Sequence, residues 1–489
     1  MSRVRGYADQ DNWITEASVT SNFGLSPILE VWNRVNPKTK RKEWSRSMIR
    51  FSLSSITAGI VSNGMYPDPR TNTSVSAFMY MFNAPHGDPQ ASNFNIWVLP
   101  LTADWTEGSG LDNDNYSQTG FADALNASNV YSWTDLNSTT GAAAIYGADT
   151  GVYDSNSADA FFRNGEENLR VDVTSWFNQH LDGVSSNNGF LIRMSDVEES
   201  KDATEAVAAK VSPSLSATSF FTKKFYSRET NTRQRPYIQL EWPGAIKDDR
   251  NHIRFSKTGN LFFYNIVDGL LEDLNGAKEF PGTLSISANG VAVQPDNLTA
   301  HRFSKGVYYA NIGKSSAAEI GSPSLTGINF GTSSVTSFVD TWTVTTAGEY
   351  QSFNFSFDPA HPVQGNSFFT TSNYHISLIN GKSEYDYGSV ARVRVFVRDK
   401  STIPTVVTGG TTAMSSFIVR SGTVEIREKA TDLIEIQEFD LSYDNNGNFF
   451  ELNTINLYPD IEYKVVLKLN IRGETNVYDN PEKWNFIVK

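Results

Sequence analysis

The residues in this chain that could do chemistry are mostly acids. Glu166-Glu167 and Glu198-Glu199 form carboxylate doublets, and a glycosidase needs two carboxyl groups facing one scissile bond at a defined separation. Neighbouring strand residues point to opposite faces, so a doublet alone does not give that geometry; both read as solvated loop acids. Asp112, Asn113, Asp114 and Asn115, following Asp104 and Glu107, crowd oxygen donors onto one loop. Hard calcium prefers such donors, but the spaced ligand series of a calcium loop is missing and the run reads as a turn. The six histidines, His86, His180, His252, His301, His361 and His375, are scattered, with no H-E-x-x-H pair. There is no G-x-S-x-G elbow, and Gly313-Lys314-Ser315 fails as a phosphate loop because Tyr308 stands where its first glycine belongs. No catalytic, cofactor-binding or metal-ligating residue is assigned, and a non-enzymatic chain is expected.

Two other groups could bind rather than react. Trp32, Trp44, Trp105, Trp133 and Trp342 could stack on sugar rings if exposed, although aromatics in a β-sandwich are more often core. Lys38, Lys40, Arg41 and Lys42 read as a solvated hairpin tip rather than a nucleic-acid arm, because the formal net charge is −13. That charge argues against a broad cationic face for nucleic acid or anionic lipid.

The elements that must position these residues are short. Runs at 48–53, 77–82, 95–101, 169–173, 190–194 and 237–242 are strand-sized and separated by Gly, Asn, Asp, Ser and Pro. Aromatics make up 12% of the residues against 19% charged, which suits half-buried pleated surfaces. A short helix is expected after Asp172, capped near Thr174, anchored by Trp176 and stopping near Gly183; another is expected at 201–210. The run 261–274 fits either a strand pair or a helix. With 489 residues and no cysteine, stability must come from several cores rather than from disulfides. No stretch approaches the roughly 18 apolar residues of a membrane span, and the start lacks a signal-peptide run, so synthesis in the cytoplasm without export is expected.

Boundaries are expected at Trp242-Pro243-Gly244 and near 399–404, which divides the chain into 1–243, 244–400 and 401–489. In the strand before the second boundary, Val393, Val395 and Val397 alternate with Arg392 and Arg394, a pattern for a sheet with one wet face. The last 85 or so residues carry strand patterns at 423–427, 435–439, 449–457, 462–471 and 484–488, with a hairpin turn at 444–448. That pattern resembles an immunoglobulin-like module.

Residues 11–243 contain, in order, Trp13-Ile14, Ser21-Asn-Phe-Gly-Leu-Ser-Pro, Ser45-Arg-Ser-Met-Ile-Arg-Phe-Ser-Leu, Asp104-Trp-Thr-Glu-Gly, Leu169-Arg-Val-Asp-Val-Thr with Trp176, Asn188-Gly-Phe-Leu-Ile, Phe225-Tyr-Ser-Arg-Glu and Arg235-Pro-Tyr-Ile-Gln-Leu-Glu-Trp. This series resembles the DNRLRE domain, a β-sandwich family related to carbohydrate-binding modules and found in cell-surface and phage structural proteins. The resemblance implies an all-β chain of tandem sandwiches: a DNRLRE-like jelly roll followed by Ig-like modules, a middle β domain expected to be Ig-like with insertions and a carboxy-terminal Ig-like sandwich. It implies a bacteriophage virion protein present in many copies, in a neck, collar or portal-proximal ring or in the tail, as a homo-oligomer contacting portal, neck, tail or capsid proteins. The alternative is a carbohydrate-binding surface adhesin or a capsid-decorating head fibre, either of which could contact glycan. Arg50 beside Phe51, and Arg228 beside Glu229, are expected to be ion pairs at sheet edges.

Overall fold

The computed structural model describes residues 3–35, 42–62, 64–87, 92–111, 121–128, 133, 158–195, 221–250, 259–274, 279–288, 291–293, 299–312, 338–346, 349–357, 374–399, 416–471 and 473–489. These residues form an all-β fold of tandem sandwiches. They divide into two compact units, one of the described residues within 3–62 and 68–242, the other of 64–67 and those within 243–489.

The amino-terminal unit is organised by one long strand, β1 (Arg3–Thr15). The other strands are β2 (Ile28–Val35), β3 (Lys42–Phe51), β4 (Ser76–Met81), β5 (Phe94–Pro100), β6 (Ala158–Phe162), β7 (Leu169–Asp172), β8 (Phe190–Met194), β9 (Phe221–Tyr226) and β10 (Tyr237–Glu241). The first half of β1 pairs with β10, from Arg3 opposite Glu241 to Tyr7 opposite Tyr237. After a register shift between Ala8 and Gln10, its second half pairs with β3, Asp11 opposite Ile49 and Thr15 opposite Ser45. A bulge bends a strand and raises its twist, so one strand serves two sheets. Strands β10, β4 and β7 continue one of them, while β3, β8, β5 and β6, with β2 and β9, form the other. The residues from Asp11 to Thr15 are buried without alternation, because both faces of this half of β1 are covered.

Helix α1 (Ser54–Val61) follows β3, and α2 (Thr174–Leu181) follows β7. The expected cap is not Thr174: its hydroxyl accepts from the Ala77 N–H at 2.9 Å, and Asp172 takes the Thr174 N–H at 2.8 Å. Trp176 is the anticipated anchor, buried with its ring edge-on to Phe190 at 4.5 Å. The expected helix at 201–210 lies outside the described residues.

In the carboxy-terminal unit, Gly259–Tyr264 pairs with Val307–Ile312, and Ile266–Val267 forms a hairpin with Leu270–Leu271, so the ambiguous run resolves into strands. Around them Leu261, Phe263, Leu284, Tyr308 and Trp342 share a core. A second core lies between two further sheets. Val393, Val395 and Val397 of Val390–Asp399 and Leu452 of Gly447–Asn453 meet Ile426 of Ser421–Glu428 and Leu467 of Glu462–Ile471. On the opposite face of Val390–Asp399, Arg392 pairs with Glu451 at 2.9 Å and Arg394 with Asp444 at 2.8 Å. Because Val390–Asp399 pairs with Gly447–Asn453, this last sandwich takes strands from ahead of residue 401. The 444–448 turn is a hairpin in which Asp444 faces Gly447, whose φ of 119° favours glycine.

Candidate carboxylate site

The second half of β1, the loop after β5 and the turn between β9 and β10 meet in the amino-terminal unit. Each brings an acid: Asp11, Glu107 and Glu229, with one carboxylate oxygen from each lying within 4.8 Å of the others. Sequence separates them by about a hundred residues at each step, and the sheet order brings them together.

Two hydrogen-bonded layers fix the site. Beneath it, the Asn12 and Asn22 amides both donate to the Ala122 carbonyl, at 2.7 and 2.8 Å. Asn22 also donates to the Glu107 carbonyl at 2.6 Å, and its own oxygen accepts from the Gly110 N–H at 3.0 Å. The loop passes so close that a Cβ on Gly110 would lie 1.7 Å from the Asn22 carbonyl oxygen, and one on Gly108 would lie 2.3 Å from Asn22 Oδ1. Glycine is required at both positions for this approach. Trp13 stacks on Phe23 with ring centroids 3.7 Å apart and packs the same corner.

At the site itself, Arg228 is the clasp. Its guanidinium grips Glu107 bidentately, Nε to Oε1 and a terminal nitrogen to Oε2, both at 2.8 Å. Nε also lies 2.6 Å from Glu229 Oε1. The Arg228 backbone N–H donates to Asp11 Oδ2 at 2.7 Å, and the Asp11 N–H donates to Glu107 Oε1 at 2.7 Å. Burial pushes all three carboxyls above their ordinary range. The shift is largest for Asp11, which has no exposed surface and where the nearby Glu229 and Glu107 charges add to the burial. Burial opposes the charge on Arg228, but Glu107, Glu229 and Asp11 outweigh it and raise that group. Fork-shaped recognition of a carboxylate is both strong and directional. Here it joins segments that the sequence holds far apart.

The anticipated site residues are distributed differently. Glu107 does not share a site with Asp104, which points outward beside Arg50, 3.7 Å away and 76% exposed; residues 112–115 lie outside the described residues. Arg228 and Glu229 form a partly buried cluster rather than an edge pair, whereas Arg50 does form a half-exposed pair with Asp9 at 3.1 Å. Glu167 caps a turn by accepting from the Arg163 and Asn164 N–H groups. Glu198, Glu199, Lys38, Lys40, Arg41 and Gly313 to Ser315 lie outside the described residues.

The five tryptophans are core, not platforms. Trp32, Trp44, Trp105, Trp133 and Trp342 are all buried, Trp32 the most exposed at 7%. Arg34 lies over the Trp32 ring and Arg46 over Trp44. The indole N–H groups of Trp105, Trp133 and Trp342 donate to the Asn188 carbonyl, the Asp123 carbonyl and Asp340. A buried indole needs such an acceptor, and these bonds hold the rings away from any sugar.

In the carboxy-terminal unit, a cleft of about 250 Å³ is lined in part by Lys247, Thr423, Glu438, Asp440 and Lys468. Its charges pair with one another, Lys468 with Glu438 and Lys247 with Asp440. A nucleophile needs a positioned base, and this lining supplies ion pairs instead.

No family model matches the chain, and no curated protein matches it. Among solved structures it is similar to the fibronectin(III)-like modules of Clostridium thermocellum CbhA, at 8% identity over 50% of this chain and 91% of that one, with a TM-score of 0.15. It is also similar to the amphioxus IgVJ-C2 molecule, at 8% identity over 46% of this chain and 97% of that one, with a TM-score of 0.12.

Proposed function

We propose that this chain is a non-enzymatic bacteriophage virion component, one of many identical copies in a neck, collar or portal-proximal ring or in the tail. The observation that carries the reading is the Asp11–Glu107–Arg228 cluster. Glu107 stands in the Asp104-Trp-Thr-Glu-Gly segment, and Arg228 in the Phe225-Tyr-Ser-Arg-Glu segment, both part of the DNRLRE resemblance. Their side chains bind each other, the Glu107 carboxylate also accepts from the Asp11 N–H of β1, and the Arg228 backbone N–H donates to Asp11. Glu107 and Arg228 are partly buried and bonded to each other across two loops, which suits a scaffold better than a catalyst. A catalyst holds its acid and base at a cleft with perturbed but available protons.

Tandem sandwiches present separate surfaces along one chain. Copies arranged about a symmetry axis use each weak surface many times, so avidity replaces a single strong site. The net charge of −13 keeps free subunits apart before assembly. The rival reading, a glycan-binding adhesin or head fibre, is weakened by the burial of the five tryptophans. Intrinsic fluorescence during titration with host-envelope oligosaccharides separates the two: the scaffold reading expects no saturable change, and a saturable quench would favour the adhesin. Deleting the gene from the genome that encodes it should yield particles arrested at head completion or tail joining, whereas normal infectious particles would refute the proposal.

A further inference from the structure

The carboxylate cluster has more negative charge than its clasp can offset. Three acids contact one guanidinium, that of Arg228, and with Arg235 lending Glu229 only a weaker field, the contacting groups carry a formal charge of −2 if all are ionised. Arg228 and the Asp11 N–H occupy both Glu107 oxygens, and Arg228 occupies one oxygen each of Asp11 and Glu229. The two remaining oxygens are Asp11 Oδ1 and Glu229 Oε2. Both are buried, and neither has a hydrogen-bond donor among the described residues, although the two carboxyl groups lie within hydrogen-bond reach of each other. Two buried oxygens without donors, on carboxyl groups that lie this close to each other, ask for a positive species between them.

The donor set defines which species. All three acids offer oxygen, with no histidine in the cluster and no cysteine in the chain, which disfavours zinc and the softer transition metals. A charge of +2 matches the residual −2. Calcium accepts irregular coordination by a few carboxylates, with waters completing the shell, where magnesium demands near-octahedral ligands. We propose that Asp11 and Glu229, with Glu107 alongside, bind a calcium-class divalent cation that ties β1 to the turn between β9 and β10. The ion would lie in the amino-terminal sandwich, and the inference stands whether or not the chain is part of a virion.

The test uses the full chain, stripped with EDTA and desalted, then titrated calorimetrically with calcium chloride while thermal unfolding is followed in parallel. One calcium should bind per chain with a dissociation constant in the range of roughly 10⁻⁵ to 10⁻³ M, and the first unfolding transition should move upward. Asp11→Asn and Glu229→Gln should each weaken binding at least about tenfold, the loss of one charged ligand. Asp248→Asn, in the other unit, should bind as the unmodified chain does. If Asp11→Asn does not fold, Glu229→Gln and the unmodified chain still decide the matter. Absence of calcium binding by the unmodified chain at roughly millimolar ion would overturn the proposal, as would a Glu229→Gln variant with undiminished affinity. No calcium response together with a Glu229→Gln variant more stable than the unmodified chain in EDTA would put a shared proton in the ion's place.

Discussion

The backbone N–H of Arg228 donates to Asp11 Oδ2 at 2.7 Å, across 217 residues of sequence. The bond closes the amino-terminal sandwich: Asp11 lies just past the bulge where β1 changes sheets, and Arg228 sits in the turn that leads into β10, the partner of the other half of β1. The same residue then binds Glu107 through its side chain. One arginine thus secures both ends of the domain and its longest described loop.

Replacing Arg228 with Leu should therefore destabilise the amino-terminal unit by about 2 to 3 kcal/mol, below the roughly 3 to 5 kcal/mol of a fully buried pair, because breaking a partly buried charge cluster leaves the acids uncompensated. Combining it with Glu107→Leu should recover part of that loss, since the double change removes a pair rather than one partner. Urea unfolding of the four chains measures the coupling. Strict additivity would mean that the two side chains act independently.

Gly110→Ala should cost more than an exposed Gly→Ala substitution, because its methyl group would meet the Asn22 carbonyl oxygen at 1.7 Å. The loop must move, and with it Glu107. Gly87 has nothing within 4 Å of its added Cβ, so Gly87→Ala is the control. Thermal melts should rank Gly110→Ala several degrees below Gly87→Ala. Equal melts would show that the loop yields without loss.

Much of this architecture is legible in the sequence because burial in a sandwich follows a period of two. Val393, Val395 and Val397 alternate with arginines that reappear as ion pairs on the opposite face, and 190–194 and 237–242 are strands within a residue or two of where their apolar runs place them. The carboxylate cluster is not legible in this way. Asp11, Glu107 and Arg228 are local in no window, and only the order of strands brings them together. A signal was present nonetheless: Glu107 and Arg228 are charged residues set inside aromatic segments, Asp-Trp-Thr-Glu and Phe-Tyr-Ser-Arg, where a sandwich strand or its adjoining loop meets the core. The tryptophans mislead for the opposite reason. Trp105 and Trp133 lie outside the regular strands, where no periodicity reports which side is inward, and their indole bonds to distant carbonyls are invisible until the loops are placed.

Acid should strengthen the carboxy-terminal unit over a defined window. Burial raises Asp248 to about 6, against the opposing charge of Arg250. A carboxyl whose folded value lies above its unfolded value of 3.8 favours the folded state fully when protonated in both states, below about pH 4. That contribution is lost as pH rises through about 6, a change of roughly 3 kcal/mol if the whole shift is expressed. Asp248→Asn should flatten the unit's stability between about pH 4 and 6. Calorimetric scans across that window, at fixed ionic strength, would contradict this if the variant kept the full slope.

The central claim is that the chain is a multicopy part of a virus particle. Quantitative mass spectrometry of purified particles, produced from the genome that encodes the chain and calibrated against the major capsid protein, tests it directly. The account predicts an integral copy number that matches a symmetric ring or tail assembly, retained after particles are washed in high salt. Absence from particles, or recovery with the host envelope bound to glycan, would contradict it.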